Sequence, residues 1–133
     1  MANALYPKWK EALWLQSANS NANSGTVKVA LIDTGTYTYS AAHEFETSLS
    51  GVVGTAQAIG SKTFTDGLFD GADVTYTAVT GAPVEALVIY IDTGTPATSR
   101  LIAYIDTSVT GLPVTPNGGN ISLTFNVSGI VQL

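Results

Sequence analysis

The sequence contains no cysteine and only one histidine in 133 residues. Without thiols the chain has neither disulfide bridges nor thiolate metal ligands, and zinc fingers are excluded. A serine–histidine catalytic pair would have to be built on His43 alone, and no nucleophile-elbow motif is present. We therefore expect no enzymatic activity, no catalytic residue, no cofactor and no metal site.

Charge is also scarce. Charged residues make up 11% of the chain, against roughly 25% in a typical domain. Five Lys/Arg and ten Asp/Glu give a net charge of -5, and the few cations are too scattered to follow a phosphate backbone. No stretch approaches the roughly 20 apolar residues that cross a bilayer. Neither nucleic acid nor a membrane is a predicted partner.

Hydroxyl groups take the place of charge, because Thr and Ser together number 29. Threonine suits the exposed face of a pleated sheet, where its branched side chain is stiff. A surface poor in charge resists association weakly, which suits a protein that neighbouring subunits cover. The same composition also suits an ordinary β-sandwich.

Alternating apolar residues predict strands along most of the chain. In "TVKVALID", Val27, Val29 and Leu31 share one face. "EALVIYID" and "RLIAYID" are apolar on both faces, which predicts central strands and a hairpin over residues 85–106. Two more strands are predicted to bury one face each, the first with Val74, Tyr76 and Ala78 and the second with Ile121, Leu123, Phe125 and Val127. Three further strands are expected at residues 52–59, 61–65 and 129–133.

These short strands and their turns predict an all-β fold, an antiparallel β-sandwich or jelly roll of about seven to nine strands. Two short helices are also predicted. One begins at Pro7 in "PKWKEALWL". The other runs over residues 40–51, with Ser40 as the cap, Gly51 as the stop and His43 exposed. Its apolar face would consist of Ala42, Phe45 and Leu49.

The predicted organisation is a helical arm with a polar linker at residues 1–20, followed by a β-sandwich at residues 21–133. Both tryptophans lie in the arm. In one alternative the arm reaches a neighbouring subunit, since large aromatic side chains carry much of the energy of interfaces. In the other it folds back as a lid on its own sandwich. The candidate partner-binding residues are Tyr6, Trp9, Leu13 and Trp14.

Two Asp-Thr-Gly motifs, beginning at Asp33 and Asp92, match the catalytic loop of aspartic proteases. Two such aspartates share a proton when they meet. The copies are only 59 residues apart, too few for two lobes, and a homodimeric protease would need a supporting element that the chain lacks. A third relative, "YIDTSVTG" from Tyr104, also follows an apolar strand. The motif therefore predicts a strand-end turn.

The acidic stretch "DGLFDGAD" gathers Asp66, Asp70 and Asp73. Its spacing does not match a calcium loop. Asp-Gly turns are the main interpretation, and weak Ca²⁺ binding at these three residues is the open alternative.

Three segments together resemble small structural proteins of tailed-bacteriophage virions: "ALYPKWKEAL", "FTDGLFDGADVTYTAVTGAPVEALVIYIDTGTPATSRLIAYIDT" and "GLPVTPNGGNISLTF". The resemblance covers nearly the whole chain but contains no motif with defined chemistry. It implies a head decoration, or cement, protein that binds the major capsid protein on the capsid exterior after assembly in the host cytoplasm. The composition and the aromatic arm independently suit a protein that docks on repeated surfaces, for which we expect self-association as a dimer or trimer.

Two other classes share this composition. A tail or baseplate component is one, and a carbohydrate-binding jelly-roll module is the other. A carbohydrate-binding module would display aromatic rings as an exposed stacking platform. Here inward packing is predicted for most of the candidate rings: Tyr37, Tyr39, Tyr76, Tyr90 and Tyr104.

Overall fold

A five-stranded antiparallel sheet, in the order β1-β8-β7-β2-β3, organises the chain. The computed structural model describes residues 3–107, 109–126 and 128–132. The elements found in these residues are β1 (Ala4–Leu5), α1 (Pro7–Trp14), β2 (Thr26–Ile32), β3 (Val52–Ala58), β4 (Thr63–Thr65), β5 (Leu68–Asp70), β6 (Val74–Tyr76), β7 (Ala86–Asp92), β8 (Leu101–Ile105), β9 (Ile121–Leu123) and β10 (Val131–Gln132).

Two smaller antiparallel sheets accompany the main one. Strands β10, β5 and β4 form a three-stranded sheet, and β6 pairs with β9. The prediction of a mostly β protein with antiparallel sheets is confirmed. Among the described residues, no helix has the length and apolarity that a bilayer crossing requires.

The predicted hairpin forms the centre of the main sheet. Strand β7 pairs with β2 on one side and with β8 on the other, and every residue of β8 is buried. Side chains of β7 alternate between two cores: Leu87 and Ile89 enter the first, and Val88 and Tyr90 the second. The prediction of strands covered on both faces is therefore confirmed.

The first core joins the main sheet to both smaller sheets. Val27, Val29 and Leu31 point into it, as the alternation predicts, and Phe69 and Leu123 meet them from the smaller sheets. The second core is rich in tyrosine and covers the opposite face of the main sheet. The segment between β2 and β3 contributes Tyr37, Tyr39 and Leu49 to it.

The helix predicted over residues 40–51 is wrong. Phe45 is extended, with φ -122° and ψ 162°, and makes an isolated bridge with Arg100. Only Glu46–Ser48 forms a 3₁₀ turn, and His43 is half-buried outside any helix. A helical spacing of apolar residues was outweighed here by backbone pairing with the start of β8.

The alternation predicted after Val74 fails at Ala78. Ala78 has a positive φ of 50°, is exposed, and donates its N–H to Asn120 Oδ1 at 3.0 Å. Val79 is buried in its place. Ile121, Leu123 and Phe125 are buried as predicted, and Val127 lies outside the described residues.

Candidate functional site

Helix α1 is fixed to the main sheet at its beginning. Pro7 lies in its first turn, where a missing N–H breaks no helical hydrogen bond. Tyr6, just before it, is 0% exposed and donates its N–H to the carbonyl of Ile102 at 2.9 Å. Strand β1 pairs with β8 immediately upstream. The helix therefore starts from a fixed point on the sheet.

The first tryptophan of the helix belongs to the first core. Trp9 is buried, and its Nε1 donates to the carbonyl of Ser20 at 3.0 Å. Leu13, one turn later, is half-buried against the same core. Tyr6 and Trp9 are thus not accessible to a partner in this structure. The alternative in which the helix covers its own sheet is favoured.

The end of the helix is different. Trp14 is 88% exposed and Leu15 is 69% exposed. Leu15 donates its N–H to Glu11 O at 3.0 Å, so the backbone that carries both side chains is still helical at this point. We call this pair the Trp14–Leu15 knob. Among the large apolar side chains of the described residues, these two are the most exposed to solvent.

A cleft of about 930 Å³ opens beside the helix, between α1, the loop of residues 16–26 and the three-stranded sheet of β10, β5 and β4. We call it the helix cleft. Its walls are mainly apolar, with Phe64 at the mouth. Phe64 is 42% exposed and stacks on Phe69 at 5.0 Å between ring centroids. The apolar wall includes Trp9, Leu13, Phe64, Phe69, Ile91 and Val131.

The polar segment predicted as a linker forms the outer wall of the helix cleft. Lys62 Nζ donates to the carbonyls of Ala22 and Asn23 at 2.8 and 3.3 Å, and to that of Gly25. Arg100 Nε donates to Ala18 O at 2.8 Å. These bonds anchor the loop to other parts of the chain, so the helix is not joined to the sheet by a free tether.

Both Asp-Thr-Gly motifs form Asx turns, as predicted. Asp33 Oδ1 accepts the N–H of Gly35 at 2.9 Å, and its Oδ2 accepts the hydroxyl of Thr36 at 3.0 Å. Asp92 Oδ1 accepts the N–H of Gly94 at 3.1 Å. The carboxylates therefore cap strand ends.

The register of β2 and β7 keeps the two motif aspartates apart. Asp92 lies opposite Thr26, whereas Asp33 follows Ile32, which lies opposite Ala86. Seven residues of strand separate them along the sheet, a distance of about 20 Å. Within one chain they do not form the proton-sharing pair of an aspartic protease.

Replacing Asp33 by alanine is expected to lower the free energy of unfolding by about 1–2 kcal/mol, because two hydrogen bonds of the turn are lost. The Asp33→Asn variant keeps an acceptor oxygen, and its loss is expected to stay below about 0.5 kcal/mol. Denaturant unfolding measures both. Casein incubated with the wild type should remain uncut; cleavage that Asp33→Asn abolishes would contradict the assignment to a turn.

The second core contains a chain of hydrogen bonds that ends at the single histidine. Tyr6 Oη lies 2.8 Å from Tyr37 Oη, which lies 2.8 Å from His43 Nδ1. Tyr39 and Tyr104 pack against these rings, with centroids 5.7 Å apart. His43 is therefore a partner of the core, where an exposed position was predicted.

Burial keeps the tyrosines protonated. It raises the pKa of Tyr6 and of Tyr76 far above the usual range of a phenol. The pKa of Tyr90 is raised first by burial and then by the carboxylates of Glu46 and Asp92. Such rings serve packing, and the aromatic platform of a carbohydrate-binding module is not built from them.

The acidic residues considered for calcium do not converge. Asp70 Oδ1 accepts the N–H of Gly71 at 2.8 Å, and Asp73 Oδ1 accepts that of Phe125 at 3.0 Å. Asp66 lies in the turn between β4 and β5. Over residues 3–107, 109–126 and 128–132, no group of three acidic or histidine side chains is arranged to hold a metal ion.

Sequence reasoning missed two residues of this surface, Leu15 and Phe64. The sequence carries a signal for Leu15, which follows Trp14 at the end of the predicted helix. Phe64 lies in "TFT", where alternation alone does not say which face is covered. Of the four residues predicted to bind a partner, Tyr6 and Trp9 are buried, Leu13 is half-buried and Trp14 is exposed.

No protein-family model matches this chain, and no curated protein matches it in sequence. Its function therefore has to be inferred from its own residues.

Proposed function

We propose that this protein is a structural component of a tailed-bacteriophage virion. Its place is the outer surface of the head, where it binds the major capsid lattice as a decoration, or cement, protein. The three sequence segments that resemble small virion proteins support this assignment. The proposal includes a sandwich or jelly-roll arrangement of the sheets.

The Trp14–Leu15 knob is the observation that carries the proposal. Exposing an indole and an isobutyl group on consecutive residues is unfavourable in water. The buried residues Tyr6 and Trp9 hold the helix that presents them. An apolar pair fixed in this way is typical of a surface that a neighbouring protein covers.

The remaining surface supports the same role. Its polarity comes largely from hydroxyl groups, with charged residues at 11% and a net charge of -5. Contacts between repeated copies therefore remove few charged side chains from water. Since many copies bind at once, each single contact can be modest.

Particles that lack this protein provide the test. Wild-type protein added to separated heads and tails should cosediment with heads. Trp14→Ser should bind at least about 30-fold more weakly, the loss expected for an aromatic interface residue worth about 2 kcal/mol.

Val52→Ser is the matched control. Val52 is 46% exposed on β3, at the opposite edge of the main sheet from β1, so binding should be unchanged. Binding to tails alone would support a tail component, and binding to neither fraction would contradict virion membership.

A further inference from the structure

We infer that the helix cleft is filled by the Trp14–Leu15 knob of a second copy of this chain. Two copies exchange their knobs and form a reciprocal dimer. The inference rests on the proposed function for its setting, because neighbouring copies on a head surface meet at high local concentration. The neighbouring protein that covers the knob is then another copy on the same lattice, so that the dimer binds the head through two copies at once and Trp14→Ser weakens head binding by breaking the dimer.

The position of the knob, next to the helix cleft, is the first reason to infer this exchange. Leu13 lines the helix cleft, and Trp14 and Leu15 protrude directly after it. A surface that carries a protrusion and a recess side by side can be self-complementary. Rotation by 180° then places each knob in the other copy's cleft, and the contact closes without leading to a filament.

The volume and the apolar lining of the helix cleft also suit the two side chains of the knob. The helix cleft has a volume of about 930 Å³, near the upper end of the roughly 300–1,000 Å³ that protein ligand pockets span. An indole and an isobutyl group fit such a space. Phe64, half-exposed at the mouth, offers a ring against which Trp14 can stack.

One charged pair can form across each half of the contact. Lys10 is exposed on the helix that carries the knob, and Asp66 is exposed in the turn next to Gly67, a lining residue of the helix cleft. Lys8 lies 3.4 Å from Glu11 and Asp92 lies 3.1 Å from Lys28, so these charges are balanced within one copy. A pair between Lys10 and Asp66 of the two copies favours their approach, despite the net charge of -5.

The area is that of a small specific interface. Each buried tryptophan covers about 150–250 Å², and the reciprocal contact buries two of them with two leucines and the cleft walls. The total lies near the lower limit of about 1,000–1,200 Å² for specific complexes. We expect a dissociation constant in the micromolar range.

Sedimentation velocity of the isolated full chain tests the inference. Wild type should change from monomer to dimer as its concentration rises to about 100 μM. Trp14→Ser removes the knob and Phe64→Ser removes a wall of the cleft, and both should remain monomeric. Val52→Ser should dimerise like wild type. Circular dichroism confirms that each variant is folded.

Charge reversal gives a sharper test. Lys10→Glu should weaken dimerisation severalfold, and adding Asp66→Lys should restore it. A monomeric wild type at about 1 mM would overturn the inference, as would a dimer that persists in both serine variants. A monomeric Trp14→Ser with a dimeric Phe64→Ser would also overturn it, because the knob would then meet another surface.

The two proposals fail separately. Heads that bind a strictly monomeric protein would sustain the proposed function and remove the reciprocal dimer. A dimer that binds no heads would do the reverse.

Discussion

Raising the pH above about 10 is expected to unfold this protein cooperatively. Tyr6, Tyr76 and Tyr90 are at most 4% exposed, and burial raises the pKa of each far above that of a free phenol. The unfolded chain loses these protons near pH 10, whereas the folded chain keeps them. Stability is therefore fully present below about pH 10 and falls as the pH rises further.

The expected effect is large. Each tyrosine that stays protonated in the folded state lowers the free energy of unfolding by about 1.4 kcal/mol per pH unit, so Tyr6, Tyr76 and Tyr90 alone give about 4 kcal/mol per unit. A stability of about 5–15 kcal/mol is then exhausted within a few pH units.

Phenolate absorbance and circular dichroism, followed together at constant ionic strength, measure this transition. The buried tyrosines should ionise only as the fold is lost. Tyr90→Phe removes one titrating group and should reduce the slope by about 1.4 kcal/mol per pH unit. Ionisation of all tyrosines near pH 10 with an intact fold would contradict the expectation.

The two tryptophans of α1 should differ sharply in what they contribute to stability. Trp9→Ala is expected to cost about 3–5 kcal/mol, because it leaves a cavity in the first core and the carbonyl of Ser20 without its donor. Trp14→Ala changes an 88% exposed side chain and should stay within about 0.5 kcal/mol. Both variants replace a tryptophan of α1 by alanine, so they differ only in the position of the residue on that helix.

Thermal unfolding at submicromolar concentration makes the comparison, since association contributes nothing there. Trp9→Ala should lower Tm by about 10–20 °C. Equal shifts for the two variants would mean that the helix is not a packed part of the fold.

Most strands were predictable because burial on a sheet imposes a period of two. Val27, Val29 and Leu31 show that period. The hairpin that is buried on both faces was predictable because its strands contain few polar residues. Strand β1 was not predictable, because Ala4–Leu5 is too short to show any period. Its pairing with β8 depends on the fold as a whole.

The failed helix shows where local patterns stop being informative. Ala42, Phe45 and Leu49 have helical spacing, yet Glu44 O accepts the N–H of Leu101 at 3.0 Å and Arg100 Nη1 lies 2.9 Å from Glu44 Oε1. Contacts with residues more than 50 positions away decide this segment. No window of the sequence contains both partners.

For the candidate site, the sequence located the helix but did not predict which of its sides is covered. Trp9 and Trp14 are five residues apart, which places them on different sides of a helix. Which of the two meets the core depends on where β1 and Tyr6 fix the start of the helix.

The anchored loop beside α1 has a consequence for selectivity among lattices. A freely tethered arm would adapt to neighbours at many spacings and angles. Lys62 and Arg100 pin residues 18–25, and Tyr6 and Trp9 hold the helix on the main sheet, so the backbone that carries Trp14 has one orientation relative to the sheet. If the proposed function holds, a helix fixed in this way would fit a shell of one curvature and leave shells of other curvatures undecorated.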